Sequence, residues 1–561
     1  MSSASPPLRW WGWGDRDTEV PMGLAALLHD EMGIELGARL PRPRRESVVL
    51  PRSALADAPL LAELAGICGA PAVHVDDESR LRHAAGRSYL DLLRLRGTDI
   101  GCAPDAVVRP ADEAEIAAVL RACAGADCAV VPFGGGTSVV GGVTALRGAH
   151  RSVIALSTRR LTSCLAVEPL SLVATLQAGM TGPEAELALA KSGLTLGHFP
   201  QSFEYATLGG FAATRSAGQA SSGYGRFDDI VLGLRMVAPS GRLVVTGHPA
   251  TAAGPSIRQL VLGSEGRLGL ITEVTVRVRR RPTQQRYEAW SFAHFDEGVA
   301  ALRAMAQAHI APDVARLGDS EETRVGMAMA WHGGMREALG RRYLSMRGHH
   351  EGCLLVVGWD SDALLTGARQ AEARALIRCH HGIALGASPG QSWLEKRFHG
   401  PYLRDALMDV GVLVETLETA TSWANLTSLH EIVASTLCEE LRDASPVVGC
   451  HVSHVYPSGA SLYFTVLARA GTDPGARWTR AKAASCAAIL DNRGTITHHH
   501  AVGTDHLAYL EREIGADGVA ALRGLAAQLD PSGIMNPGKL IPEKAARRRR
   551  ATLAPNTRRL Q

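Results

Sequence analysis

The chain lacks the features that would mark a disulfide scaffold, a membrane span or a nucleic-acid groove. Its ten cysteines are scattered with no CxxC pair, which excludes a disulfide framework and a cysteine-based zinc site and suits a reducing compartment. Nowhere do about eighteen uncharged apolar residues run together, and no basic segment leads into an apolar run at the start. Neither a spanning helix nor secretion is therefore expected. Charge of one sign is missing as well: 59 basic and 56 acidic residues leave +3, too little for the broad field that nucleic acid or an anionic membrane would need. The one basic run, residues 547–550, lies in a polar tail and reads as a solvated end. No internal repeat or low-complexity block interrupts the sequence. A cytoplasmic protein is the expectation.

At 561 residues the chain exceeds what one hydrophobic core organises, so two to four domains are expected. Short apolar helices separated by polar segments fill residues 1–100, an N-terminal helical extension. From Pro104 the texture becomes α+β. Ile116, Val119, Leu120 and Cys123 form one helical stripe, residues 129–131 a buried strand, and residues 152–156, 165–168 and 172–177 further strands. Residues 183–192 read as a helix ended by Gly193, and Pro239-Ser-Gly241 as the turn of a hairpin. Arg280, Arg281 and Pro282 mark a boundary. The division is thus 1–100, a domain over 101–281, a second over 282–505, a helical segment over 506–545 and a basic tail over 546–561.

Three consecutive glycines after the strand at 129–131 are conformationally costly unless backbone must approach something closely. In the run Pro132, Phe133, Gly134, Gly135, Gly136, Thr137, Ser138, successive N–H groups and two hydroxyls can form an anion nest. A tight glycine turn in a sheet is the alternative. The run lacks the ending of a nucleotide-triphosphate loop and the GxGxxG of a Rossmann unit. Further on come Gln201, Ser202, Phe203, Glu204, Tyr205, Ala206 and Thr207, leading into Leu-Gly-Gly210. They are followed by Thr214, Arg215, Ser216 and Ala217, and by Glu265, Gly266, Arg267, Leu268, Gly269, Leu270 and Ile271. In this order the segments resemble the FAD domain of the vanillyl-alcohol oxidase superfamily. The resemblance implies a two-part, PCMH-type FAD-binding domain, a separate α+β substrate cap and cofactor contacts at the residues just named. Thr137 stands where a histidine would be needed to attach the flavin, so the implied FAD is non-covalent.

Over nearly the whole chain the sequence is similar to one branch, the alkyl-dihydroxyacetone-phosphate synthases. The matches include Arg9-Trp-Trp-Gly-Trp-Gly14, Tyr402-Leu-Arg-Asp405, Glu418-Thr, Cys450-His-Val-Ser-His454, Ser461-Leu-Tyr-Phe-Thr465 and His498-His-His-Ala-Val-Gly503. That family exchanges the acyl group of acyl-dihydroxyacetone phosphate for a long-chain alcohol, with the flavin holding the C1 carbon at N5 in between. Carried over by motif, Tyr463 is the catalytic tyrosine, Arg404 grips substrate phosphate, and Arg316, His498, His499 and His500 complete the catalytic set. Nearby cations would lower the pKa of Tyr463 enough for it to accept a proton.

Plainer readings stand beside these. An arginine is usually a surface ion-pair partner, and Tyr463 alternates with Leu462 and Phe464 as any half-buried strand tyrosine would. As a strand, the triplet would turn His498 and His500 to one face and His499 to the other, so no metal site is expected, even with His451 and His454 nearby. Trp10, Trp11 and Trp13 suit either a lipid headgroup layer or core packing. Peripheral membrane contact and a homodimer are left open. Two departures keep a second chemistry in view: Gln201 replaces an aspartate of the synthase pattern, and the ending Asp530-Pro-Ser-Gly-Ile-Met-Asn-Pro-Gly-Lys-Leu540 looks like that of FAD-linked 2-hydroxy-acid oxidases. There an arginine would hold a carboxylate and a histidine would take the hydroxyl proton. A related flavoenzyme of specialised metabolism is a third reading.

Overall fold

The computed structural model describes residues 8–542 apart from positions 16, 57, 99, 331–334 and 362, so the basic tail over 546–561 lies outside the described residues. The first domain holds two main sheets, beside the short pair Leu194–Thr195 and Arg279–Arg280. In one, the parallel strands Ala106–Val108, Ser152–Ser157 and Cys128–Phe133 lie side by side. They read as unbroken apolar runs because both faces are covered. The helix Glu113–Gly125 covers one face with the stripe seen in the sequence, and the Asp112 carboxylate caps its start by accepting the N–H groups of Ala114 and Glu115. The second sheet is antiparallel, in the order Cys164–Glu168, Val173–Gln177, Leu270–Arg277, Val231–Ala238, Gly241–Val245, its last pair joined by the hairpin expected at 239–241.

The cap is a seven-stranded antiparallel sheet that ends in the neighbours Val314–Gly318, Val447–Val452, Gly459–Arg469 and Val412–Ser422. Strand alternation divides its faces. Leu417, Cys450, Leu462, Phe464 and Val466 point into a core completed by the helices Phe295–Gln307, Leu426–Glu440 and Pro474–Asp491. The residues between them carry polar side chains on the opposite face.

The extension expected over 1–100 is not a unit. Trp10, Val48, Leu81, Leu95 and Ile100 form a small cluster of its own, while its other helices bury their apolar sides on whichever sheet is nearest. Leu60, Leu64 and Cys68 share a core with Val130 and Ile154, and the strand Val73–His74 pairs with Ala106–Val108. Leu24, Leu27 and Leu28 pack instead against Leu407, Val412 and Val447 of the cap. Trp10 and Trp13 are buried, and half-buried Trp11 lies among the guanidiniums of Arg9, Arg42 and Arg96 at 5.1, 5.4 and 5.1 Å, so two of the three tryptophans pack inward. The Trp13 N–H donates to Asp405 in the helix Gly400–Met408, and a Cβ on Gly12 would lie 2.3 Å from that carboxylate. The N-terminal segment is thereby fastened to the helix that carries Arg404. No helix among the described residues is long and apolar enough to cross a membrane.

After the helix Leu510–Leu529 the chain runs back over the first domain. The buried Asp530 carboxylate accepts the N–H groups of Ile534 and Met535 and a bond from Arg267 at 3.2 Å. Asn536 then donates to the carbonyls of Gly142 and Glu265, and the buried Lys539 ammonium to that of Thr144. Asp530→Ala strips this turn of its acceptor and leaves Arg267 only its bond to the Met535 carbonyl. It should cost about 3 kcal/mol and lower the thermal midpoint, and an unchanged midpoint would show that the turn holds without it.

Candidate active site

The glycine loop follows the strand Cys128–Phe133 and packs against residues 205–207. A Cβ on Gly134 would lie 2.2 Å from the Thr207 hydroxyl, and one on Gly135 would lie 2.1 Å from the Tyr205 carbonyl. Close packing onto 205–207 thus demands glycine by itself. Among the described residues the N–H groups of residues 134–138 have no acceptor, while the Ser138 hydroxyl accepts from Gly142 and keeps its own proton to give. Buried hydroxyls of Ser157, Thr158 and Ser264 and the Nδ1 of the buried His198 also have no partner. Free donors around a cradle without side chains fit a diphosphate and a flat polar ring.

The other expected cofactor residues divide into two groups. Pro132, Phe133, Ala206 and Thr207 gather at the loop, Ser216 bonds to His198, and buried Ala217 follows it. The remainder are turned elsewhere. Gln201 is exposed and accepts from Gln219. Ser202 is half-buried beside it. Phe203 stacks on Phe398, and Glu204 accepts from the Tyr402 hydroxyl. Thr214 bonds back within its helix, and Arg215 holds the carbonyls of Gln259 and Leu262. Leu268, Leu270 and Ile271 are core residues, while Gly266 and Gly269 take positive φ beneath Pro132 and Val237. A Cβ on Gly142 would lie 2.9 Å from the Ser138 hydroxyl and 3.5 Å from the Glu265 carboxylate, which thus stands near the end of the loop. That carboxylate accepts the N–H groups of Val502 and Gly503 at 2.8 and 2.7 Å, and burial pushes its pKa up to about 7.

On the polar face of the cap, Glu418, Tyr463 and His451 are direct neighbours on three adjacent strands. The Tyr463 ring lies between two imidazoles, His451 at 4.8 Å and His499 at 6.0 Å, both nearly parallel to it, with His500 edge-on at 5.5 Å. Arg316 donates through Nη1 to His451 Nε2 at 2.9 Å and through Nη2 to Glu322, and His451 Nδ1 lies 2.8 Å from the same carboxylate. A guanidinium can only donate, so Nε2 of His451 must accept, which places the proton on Nδ1 and leaves the ring neutral. Burial and then Arg316 lower the pKa of His451 in agreement. Arg316 therefore spends its charge on Glu322, whose pKa burial would raise but which Arg316 and His451 bring down to about 2.

Tyr463 departs from expectation for the same reason. Its neighbouring imidazoles are neutral and its neighbouring guanidinium is paired, so burial dominates and pushes the phenol up to about 12, against partial opposition from Thr416. In this site Tyr463 keeps its proton at neutral pH.

The histidine triplet is not a strand. Residues 497–500 bend around Glu418, whose carboxylate accepts the N–H of His498 at 2.7 Å, of His499 at 3.2 Å and of His500 at 2.9 Å, and the Thr497 hydroxyl at 2.5 Å. With the strand premise gone, the argument against a shared cation loses its basis. Ring nitrogens of His454, His498 and His499 come within 4.8 Å of one another. Each of the three already has a partner: His454 bonds Ser221 at 2.6 Å, and His498 bonds both Tyr456 and His499, at 2.7 and 3.0 Å. Burial lowers the pKa of all the triplet rings, that of His500 to about 3.

Arg404 lies on the helix Gly400–Met408 of the cap. Its Nη1 donates to the Arg87 carbonyl at 2.8 Å, and the Arg87 N–H in turn donates to the carbonyl of Ser138 in the glycine loop. Its Nε is buried with no partner.

Comparison with known proteins gives this arrangement a family. Residues 104–247 match the model of an FAD binding domain, and residues 281–540 match that of the FAD linked oxidases, C-terminal domain. An alkyldihydroxyacetonephosphate synthase of Dictyostelium discoideum is 32% identical over 479 residues, spanning 83% of this chain and 78% of that protein. One from Caenorhabditis elegans is 30% identical over 95% of each chain. This chain belongs to the alkyldihydroxyacetonephosphate synthase family. A solved alkyldihydroxyacetonephosphate synthase superposes with a TM-score of 0.83 at 28% identity, covering 95% of this chain and 99% of that one. Membership makes the chain an FAD-dependent enzyme of the synthase type with lipid-like small-molecule substrates, and the two-part PCMH-type domain and cap are the architecture of that group.

Of two glutamates at the centre of the synthase-like site, Glu322 was missing from the residues singled out by motif, and Glu418, matched only as part of Glu418-Thr, was given no role. A signal for Glu418 existed: it sits among apolar residues in the strand Val412–Ser422, where a charge needs a partner. Glu322, in the helix Ser320–Ala330, carries no such mark. Because its folded pKa lies below the unfolded 4.5, Glu322 contributes stability above about pH 4.5 and loses it as pH falls toward about 2. The gap in unfolding free energy between wild type and Glu322→Gln should therefore be constant above pH 4.5 and narrow below it. A gap independent of pH would show that the ion pair carries no net stabilisation.

Proposed function

We propose that this enzyme exchanges the acyl group of acyl-dihydroxyacetone phosphate for a long-chain alcohol, forming an ether with no net oxidation, on non-covalent FAD held by the loop 134–138. The observation that carries this reading is the Tyr463 phenol enclosed by the imidazoles of His451, His499 and His500, an arrangement able both to give and to accept a proton without a change in redox state. When bound, FAD supplies a ring whose nucleophilicity permits exchange at carbon. The protein's part is positioning and proton handling. Arg404, with its unpartnered Nε and its bond to the Arg87 carbonyl, presents the rest of its guanidinium fork to the substrate phosphate. Tyr463 donates a hydrogen bond to the acyl oxygen as the fatty acid departs, and an imidazole of the triplet takes the proton of the incoming alcohol. His451 is held in one tautomer by Arg316 and Glu322 and fixes the plane of the phenol.

The 2-hydroxy-acid reading is weaker here, since Arg316 is already paired with Glu322 and Gln201 lies at the surface, bonded to Gln219. A cytoplasmic enzyme that collects its lipid at a membrane surface belongs to the proposal, supported by the poor water solubility of such substrates.

Purified variants supplied with palmitoyl-dihydroxyacetone phosphate and hexadecanol test these roles. Tyr463→Phe should leave the flavin spectrum intact and reduce ether formation by roughly 10²- to 10⁴-fold, and unchanged turnover would remove the phenol from the reaction. Arg404→Lys should raise KM for the phosphate substrate more than it lowers kcat, because an ammonium cannot reproduce the fork. An unchanged KM would count against phosphate recognition there.

A further inference from the structure

We infer that Glu418 is the carboxylate partner of the histidine triplet, a positioning residue that orients His499 and His500 beside Tyr463 and stabilises the imidazolium formed when either takes a proton. The inference rests on the exchange reaction proposed above.

Four observations lead to it. The Glu418 side chain has no exposure to solvent, yet among the described residues no lysine or arginine pairs with it. Its oxygens are met instead by the three consecutive N–H groups of the triplet and by the Thr497 hydroxyl. Beyond these donors lie two imidazoles, His499 Nδ1 at 3.5 Å and His500 Nδ1 at 3.9 Å. Opposite Glu418 across the sheet stands Tyr463.

Burying a carboxylate without a permanent counter-ion is costly, and bracing a loop does not require it. Glu513 braces the start of the same loop from a more exposed position, through Thr495 and the N–H of Ile496. What the charge adds at Glu418 is attraction for a positive charge that appears only during turnover, at a distance of one imidazole ring from where it forms. His499 is otherwise faced by His498, His454 and Arg226, and His500 by His499, Lys482 and His506, so Glu418 is the anion that favours their protonation. Burial keeps the rings neutral at rest, ready to accept.

In the step this serves, the alcohol oxygen forms its bond to the substrate carbon and the bond from that carbon to the acyl oxygen breaks. The alcohol proton moves to the imidazole, the fatty acid leaves as carboxylate, and the imidazolium returns the proton to water. Atoms and charge balance, with no oxidant or reductant.

The test compares Glu418→Gln with Glu418→Asp in holoenzyme matched for flavin content, again with palmitoyl-dihydroxyacetone phosphate and hexadecanol. Glu418→Gln keeps the size and loses the charge. It should retain a normal flavin spectrum and an unchanged KM for the phosphate substrate while kcat falls on the order of a hundredfold. Glu418→Asp keeps the charge at a longer reach and should recover about tenfold over the glutamine variant. Wild type that forms no ether lipid would defeat the parent reading and, with it, this role of Glu418. With wild type active, any of three results would overturn the role of Glu418: a glutamine variant as fast as wild type, aspartate and glutamine variants equally impaired, or both variants failing to hold flavin.

Discussion

The site depends on buried carboxylates that hold imidazoles without charging them. Glu418 receives the backbone of the histidine triplet, Glu322 receives Arg316 and His451, and between these two clamps the Tyr463 ring is enclosed by His451, His499 and His500. Strand alternation makes this possible. Side chains that pair across neighbouring strands share a face, so the row of Glu418, Tyr463 and His451 is polar as a unit while Leu417, Phe464 and Cys450 beside them fill the core. A one-residue slip in register would bury the row and expose the core, which ties the geometry of the site to the stability of the cap.

A single loop joins this row to the cofactor domain. From 495 to 503 its polar backbone is held in turn by Glu513, by Glu418 of the cap and by Glu265 of the first domain. Glu265 adjoins the C-terminal turn, where Asn536 donates to its carbonyl, and that turn also reaches the strand before the glycine loop through the bonds between Val130 and residues 534 and 536. A second link runs from Arg404 to Arg87 to Ser138. The histidines and Arg404 are thus both indexed to the loop that would hold the diphosphate, and the reacting groups of two domains acquire fixed relative positions without lying on one element.

Much of this was legible from residue patterns. The apolar stripe on Glu113–Gly125, the strands around the glycine loop, the hairpin at 239–241 and the FAD-type motifs depend on local periodicity and turn chemistry, which tertiary context left intact here. What local pattern could not reveal was who pairs with whom. The triplet has strand spacing but bends, because a buried carboxylate offers its N–H groups better acceptors than a neighbouring strand would. Glu265 lies in a cofactor motif yet faces residues 502 and 503, more than two hundred positions away. The proton affinity of Tyr463 runs opposite to expectation because Arg316 is satisfied by Glu322, a partner six residues on that motif spacing does not announce. The helices before residue 100 were legible as helices, but the sheets that take them were not.

Exchange without net oxidation is tested by an anaerobic reaction. Holoenzyme would be mixed with palmitoyl-dihydroxyacetone phosphate and hexadecanol while the flavin spectrum is followed and the lipids are analysed. The account predicts ether lipid and free palmitate in equal amounts, with the flavin oxidised at the end. Absence of ether lipid, together with lasting bleaching of the flavin by a 2-hydroxy acid such as lactate, would contradict it.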